Sequence, residues 1–272
     1  MNALRWIVFA VAAFAMNFPV IVTLITSFKS AREIAMNPGL IIQAPTLANY
    51  ARVLTDTSRF NIYAYLLNST VAALIGSLLA LLLTLPAAYA IVRTGTGRRH
   101  LLPLVANLRA VPLVVFAIPL YMMFQFVGLL DTRLGLGLIL TIVNLPLSLM
   151  MMVNAISDMP TEIDEAARMD RADAFMILRR IVRPVIRPAV VTAFIFGFIT
   201  AWNEYLFGLM LTTRNAVPVT VGASFFFSAS GGGVQWGVAS AVMILGALPP
   251  AVLGMLIYRQ LTGSMTAGAV KG

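Results

Sequence analysis

Six apolar runs, separated by polar segments, set the plan of this chain. They lie at residues 6–28, 61–92, 101–127, 134–156, 189–211 and 236–258. Each reaches the roughly 20 residues that a helical membrane crossing needs. The pattern therefore predicts an all-α integral membrane protein with six transmembrane helices. Ala13-Phe14-Ala15 in the first run mimics a signal-peptidase site, but the run continues well past it and reads as an uncleaved span kinked at Pro19. The second run carries no charge and is long for one upright crossing, which implies tilt or an extramembrane first turn. Asn68, Ser69 and Thr70 form its polar face, and Pro86 with Ala87-Ala88 suits close helix packing. Pro103, Pro112 and Pro119 make the third run an irregular helix, tolerable only against protein or a water-filled cavity. The fifth reads as one continuous span, and the sixth as ending near Pro249-Pro250.

The polar segments differ sharply in charge. Residues 29–60 form the longest, with Pro38-Gly39, Pro45 and charges of both signs. Residues 93–100 are a short basic loop containing Arg93, Arg98, Arg99 and His100. The densest is 158–188, which holds six of the ten acids and six of the nineteen basic residues. Such an island cannot lie in hydrocarbon, where each ionised side chain costs several kcal/mol. Thr161 reads as an N-cap, with Glu162, Asp164 and Glu165 in the first turn, where the helix dipole favours anions. Ile163, Ala166, Ala167 and Met169 give this helix a small apolar stripe, and Pro184 and Pro188 end the helical run before the next span. It reads either as a solvated loop helix or as a docking helix for a cytoplasmic partner.

Counting cations orients the chain. With both termini cytoplasmic, the inside carries Arg5, Arg93, Arg98, Arg99, the six arginines of the island, Arg259 and Lys271. The two short outside loops carry only Arg133 and Arg214, and the long one carries four cations. That asymmetry obeys the positive-inside rule.

Composition then narrows the chemistry. The chain is 60% hydrophobic and 11% charged, so its net charge of +9 reflects topology and not a nucleic-acid partner. It has no cysteine and one histidine, which leaves no disulfide, thiolate or multi-histidine metal site. Its two lysines, Lys29 and Lys271, stand outside any Gly-Lys-Ser/Thr phosphate loop. Without paired carboxylates or a triad, no catalytic residues are assigned, and if ATP drives this protein another subunit hydrolyses it. An ion-coupled secondary transporter of a small polar solute is the alternative. It would want mid-membrane acids and an internal repeat, and the sequence shows neither. Four side chains within the runs form the tentative substrate-pathway set: Arg109, Asn144, Asn203 and Glu204. Glu204 reads either as an interfacial acid or as part of a gate. Arg109 reads either as a donor to carbonyls freed by Pro112 or as a cavity cation contacting substrate. Phe225, Phe226 and Phe227, followed by the SASGGG run, form either an exposed partner patch or an interfacial belt.

The string EAARMDRADAF…IVRPVIRP resembles the coupling loop of bacterial ABC-importer permeases, through Glu165, Ala166, Ala167, Asp170 and Ala172. Two positions depart. Arg171 stands where that family has glycine, which lets the chain turn between two short helices, and Arg183 stands where leucine usually precedes Pro184. AWNEYLFGLMLT at 201–212 and TAGAVKG at the C-terminus are similar to further signatures of the carbohydrate, maltose-type permeases, and SFK with P-x-x-x-NY in 29–60 is similar to the second permease subunit of sugar importers. The resemblance implies a type I ABC-importer permease fold. Residues 1–60 would form the first helix and an external segment, and 61–272 a five-helix core with a cytoplasmic coupling helix in 158–188 and a tail. It implies ATPase coupling through Glu165, Ala166, Ala167, Asp170, Arg171 and Ala172. A soluble solute-binding protein would be met by Phe225, Phe226, Phe227, Gly231 and Gly232. The implied partners are a second permease and two ATPase subunits that carry ATP and magnesium. The implied cargo is a sugar-like solute, and the setting is membrane lipid in the bacterial inner membrane.

Overall fold

The computed structural model describes residues 2–58, 60–227 and 233–268. Among them, regular structure is entirely helical. In chain order the helices are α1 (Asn2–Ser27), α2 (Ala31–Met36), α3 (Ala48–Thr55), α4 (Ile62–Thr94), α5 (Leu101–Asn107), α6 (Val114–Phe126) and α7 (Arg133–Ser157). They continue as α8 (Glu162–Met169), α9 (Ala174–Ile177), α10 (Arg183–Val185), α11 (Arg187–Trp202), α12 (Leu206–Leu211), α13 (Val219–Ser224) and α14 (Trp236–Gly268). A π turn spans Leu178–Val182, and a 3-10 turn spans Phe225–Phe227.

Four described helices are long and apolar enough to cross a membrane: Leu4–Ser27, Ile62–Thr94, Arg133–Ser157 and Trp236–Leu256. The pair Ala174–Val185 and Arg187–Trp202, bent by 81°, supplies a fifth when taken together. The remaining crossings read from sequence are interrupted. The third is divided into α5 and α6 by a break at 108–113 that contains Pro112, and the 13 residues of α6 rise only about 20 Å. The fifth, expected as one continuous span, stops at Trp202 and restarts at Leu206. By contrast, α14 passes through Pro249 and Pro250, where an end was expected. Proline inside a membrane helix is tolerated where neighbours re-satisfy the freed backbone.

The chain divides into two compact units, Met1–Leu66 with Val219–Leu248, and Leu67–Pro218 with Pro249–Gly272. In the first unit, the polar stretch after α1 is stapled by its own side chains. Buried Lys29 donates from Nζ to the carbonyls of Asn37 and Gly39. The Glu33 carboxylate accepts from the Gln43 and Ala44 amides. Asn49 Nδ2 reaches the carbonyls of Ser27 and Lys29, both at 2.9 Å. Helices of six and eight residues are too short to stand alone, so these polar anchors stabilise what apolar burial cannot.

In the second unit, α7 is the central element, packed against α4 and α11. Small residues let the backbones close in. A Cβ on Gly137 would lie 2.6 Å from Ile75 Cβ, and one on Gly76 would lie 2.7 Å from Leu140 Cβ. Such close approach replaces the hydrophobic drive that lipid cannot provide between membrane helices. Toward one end, Leu149, Met152 and Ile156 of α7 bury with Ala88, Tyr89 and Ile91 of α4, and this core extends to Ala167, Ile177, Val182 and Ile186. A second core joins Ala117, Phe124, Ile139, Phe207 and Leu211.

Candidate functional site

The charged island folds as two short helical pieces around one tight turn. Helix α8 starts at Glu162, with Glu162, Asp164 and Glu165 in its first turn as expected. Thr161 occupies the N-cap position, but its side chain makes no capping bond. The helix ends in a Schellman motif. The Ala172 amide donates to the Ala167 carbonyl at 3.0 Å, and the Arg171 amide to the Arg168 carbonyl at 2.9 Å. Arg171 is the left-handed residue that this motif requires, at φ 61°. The turn survives the missing glycine, and an L residue bears the left-handed backbone at a cost of about 1–2 kcal/mol. Asp173 then caps α9, accepting from the Met176 amide at 2.6 Å.

Helix α8 is held to the membrane helices by an ion pair. Arg93, near the end of α4, pairs through Nε with Asp164 Oδ2, and the two side chains are only 5% and 4% exposed. The same guanidinium donates to the Met159 carbonyl at 2.9 Å and lies 3.5 Å from that of Pro160. The sequence reading had put Arg93 in the basic loop and Asp164 at the helix dipole. No local pattern announces that the two meet across about one-quarter of the chain.

This anchoring fixes which face of α8 stays open. Ala167 is buried within the core, one turn from Asp164. It therefore does not belong to the outward stripe to which it had been assigned. Ala172 is half-buried on the same core. The outward face is Glu162, Ile163, Glu165, Ala166 and Met169, with Met169 85% exposed, and Asp170 and Arg171 are exposed beside it. Helical spacing explains the division. Asp164 and Ala167 are three apart and share one side, whereas Ile163 and Ala166 share another.

The pathway candidates do not converge. Asn144 is buried and donates from Nδ2 to the Gly197 carbonyl at 3.0 Å, which clamps α7 to α11. Asn203 bonds back to Ile199 of its own helix. Glu204 turns the break after α11 into a cap for α12, accepting from the Leu206 and Phe207 amides, both at 2.9 Å. The fifth span breaks where an acidic side chain can satisfy the first amides of the next helix. Of the four, Arg109 lines a cavity. It lies in the break between α5 and α6, at the edge of a space of about 310 Å³ that is otherwise mostly apolar, lined by Phe116, Leu120, Val143, Thr200 and Phe207 among others. Its side chain is exposed, and its guanidinium has no hydrogen bond or ion pair to another described residue. It therefore does not serve the carbonyls near Pro112.

Two polar clasps in the second unit went unread in the sequence. The Asp131 carboxylate, in the turn between α6 and α7, accepts backbone amides from Thr213, Arg214, Asn215 and Ala216 at 2.9–3.1 Å. Asp131 itself is left-handed, at φ 54°. Partial burial pushes its carboxyl up, but the amides of Asn215, Thr213, Ala216 and Arg214 outweigh this and pull it down to about 2. Beside it, Asn68 donates to the Asn215 and Val217 carbonyls at 3.0 Å and accepts from Arg133 Nε at 2.7 Å.

The segment 212–235, read as a connecting loop, contains α13 and the 3-10 turn of three phenylalanines. The three differ in their contacts, and Phe225 and Phe227 are exposed. The Phe226 ring meets Phe60 edge-on at 4.6 Å, and Phe227 meets Trp236 at 5.7 Å. Phe225 makes no ring contact among the described residues and is 50% exposed. Gly231, Gly232 and the rest of 228–232, and Lys271 in the tail, lie outside the described residues.

Residues 72–267, which include the anchored helix and its turn, match the family of binding-protein-dependent transport system inner membrane components. The chain belongs to that family. It is 31% identical over 258 residues to a sulfoquinovosyl glycerol transport system permease protein of Agrobacterium fabrum, covering 94% of this chain and 89% of that one. It is also 31% identical over 257 residues to a trehalose/maltose transport system permease protein of Thermococcus litoralis, covering 94% and 91%. In fold it matches a chain of a bacterial ABC transporter involved in the import of the acidic polysaccharide alginate, with a TM-score of 0.79 over 95% of both chains at 20% identity. The architecture is thus that of an ABC-importer permease, a multi-pass membrane component, and the clasped α8 is a feature of such a component.

Proposed function

We propose that this chain is one of two permease subunits of an ABC importer carrying a sugar or derivatised sugar. Two separate ATPase subunits bind ATP and magnesium and close against the cytoplasmic side. A soluble binding protein delivers solute from outside, and both termini are cytoplasmic. The curated relatives support the solute class, being named for sulfoquinovosyl glycerol, trehalose and maltose, and diacetylchitobiose. The mechanism rests on one observation: α8 keeps one face exposed while the other is locked to α4 and α7 by Arg93–Asp164 and Ala167. A helix so held moves with the spans to which it is fixed. An ATPase groove that grips Glu165, Ala166 and Met169 therefore shifts the spans as a rigid body and alternates access. The acid within the fifth span, Glu204, is used as a helix cap, which removes support from ion coupling.

The test is Ala166→Trp, which adds bulk on the open face without entering the core. Ala167→Trp would overfill the core and report on folding instead. In proteoliposomes containing the co-expressed complex, Ala166→Trp is expected to abolish uptake and release the ATPase subunits, with membrane insertion unchanged. Normal uptake with the ATPase subunits still bound would overturn the docking role. Single cysteines at Thr96, Ser157 and Ser264, in a chain with no other cysteine, check the orientation. Labelling of any of them by an impermeant thiol reagent in intact spheroplasts would reverse it.

A further inference from the structure

The segment from Ala174 to Val185 has a feature that coupling does not use. Its buried row is Ile177 and Val182, continued by Ile186 at the bend. The first step in that row is five residues and the second is four. An α-helix returns to the same face after 3.6 residues, so a five-residue step would turn Val182 off the core. The π turn at Leu178–Val182 corrects this: the Arg183 amide donates to the Leu178 carbonyl, five residues back, which keeps Ile177 and Val182 in line. The opposite side is left to Arg179, Arg180 and Arg183, with Arg187 just past the bend as the first residue of α11; all four are exposed and none is ion-paired to a described acid. Phe175, Met176 and Val185 are exposed among them. Arg183, which replaces an expected leucine, thus extends a basic row instead of disturbing the core.

The bend supplies the geometry. The axis of Ala174–Val185 lies at 81° to that of Arg187–Trp202. If the latter crosses the bilayer with ordinary tilt, the former runs close to the membrane plane. A helix in that plane, with arginines and large apolar side chains on its outward side, has the composition of an interfacial helix. We infer that this arginine row is a binding surface for the anionic phosphate headgroups of inner-leaflet phospholipids, with Phe175 and Val185 resting at the acyl boundary. The inference rests on the cytoplasmic orientation given above. Arginine suits the role because its planar fork matches phosphate oxygens, and each cation near an anionic leaflet adds about five-fold in affinity.

Lipid retention by the purified full chain tests this without any partner subunit, so its outcome is separate from that of the importer reading. Native mass spectrometry would follow titration with phosphatidylglycerol against phosphatidylcholine. The wild-type chain is expected to retain phosphatidylglycerol preferentially. The variant Arg179→Gln/Arg180→Gln/Arg183→Gln/Arg187→Gln should lose that preference, and the corresponding four Lys substitutions should keep most of it. Should the four-Gln chain fail to fold, Arg183→Leu alone, which places an ordinary apolar residue there, should still weaken retention about five-fold, and unchanged retention would overturn the inference. Equal retention of both lipids by the wild type, or an unchanged preference in the Gln variants, would overturn the inference. So would loss of the ATPase subunits when the four-Gln chain is separately co-expressed with its partners while its lipid preference stands, since the row would then be a protein contact.

Discussion

Removing one member of the Arg93–Asp164 pair should uncouple the chain, and the two removals should differ. Both side chains are almost wholly enclosed. Breaking a buried pair by deleting one partner costs about 3–5 kcal/mol, because the other charge stays behind without compensation. Asp164→Asn leaves a guanidinium that still reaches the Met159 carbonyl, which places its cost near the lower figure, about 3 kcal/mol. Arg93→Met leaves a carboxylate whose oxygens accept no other hydrogen bond among the described residues, which places its cost near about 5 kcal/mol. Even the smaller value shifts the docked population of α8 by about 150-fold. The double variant Arg93→Met/Asp164→Leu replaces the pair with apolar volume and should return to within about 1 kcal/mol of the wild type. Denaturant unfolding in mixed micelles measures the cycle, and solute uptake against ATP hydrolysis in proteoliposomes measures the coupling. Hydrolysis that persists while uptake fails is the expected signature of both single variants. Single-variant costs below about 1 kcal/mol would equate the pair with a surface salt bridge. A double variant as damaged as the two singles combined would refute the compensation argument.

Three further outcomes follow from local geometry. Arg171→Gly should raise stability by about 1 kcal/mol, since glycine adopts the left-handed backbone at φ 61° without the side-chain clash; a lower unfolding midpoint would contradict the strain. Asn144→Leu should cost about 0.6 kcal/mol and leave uptake intact, because a clamp between membrane helices is lost and not a solute contact; abolished uptake with normal stability would restore Asn144 to the pathway. Asp131 titrates at about 2 when folded, below the ordinary carboxylate value, so its stabilisation is present above about pH 4 and lost as pH falls toward 2. Asp131→Asn should flatten that part of the stability–pH profile, and an unchanged profile would count against the clasp.

How much of this was legible depended on range. The apolar runs gave the helices, and the charge island gave α8 and its first-turn acids, because both are local patterns of period and dipole. The interruptions were partly legible. Three prolines announced an irregular third crossing, but Glu204 looked like an acid in a membrane when it is a cap that divides the fifth. Ala167 was misplaced because a short stripe does not say which of its residues faces inward; that depends on Arg93, far away in sequence. The clasp at Asp131 was invisible for the same reason, since its donors lie in another loop and all but the Asn215 side chain are backbone amides that no side-chain motif marks. The contacts of Phe226 with Phe60 and of Phe227 with Trp236 likewise depend on partners outside the segment.

Arg93 also has a history within each molecule's synthesis. A ribosome adds about 5–20 residues per second, so Asp164 emerges about 4–14 s after Arg93. During that interval the arginine has no carboxylate to meet. It is then a bare cation at the end of the second apolar run, and in the orientation proposed above a bare cation is what holds that end of a nascent helix on the cytoplasmic side. Only after two further crossings have been threaded does the acid arrive, and the charge that had been a retention signal is withdrawn from water and becomes a rivet. With the orientation and coupling proposed above, one side chain serves insertion first and force transmission afterwards. Replacing Arg93 would disturb these at different times: first the direction in which the helix enters the membrane, then the hold on α8.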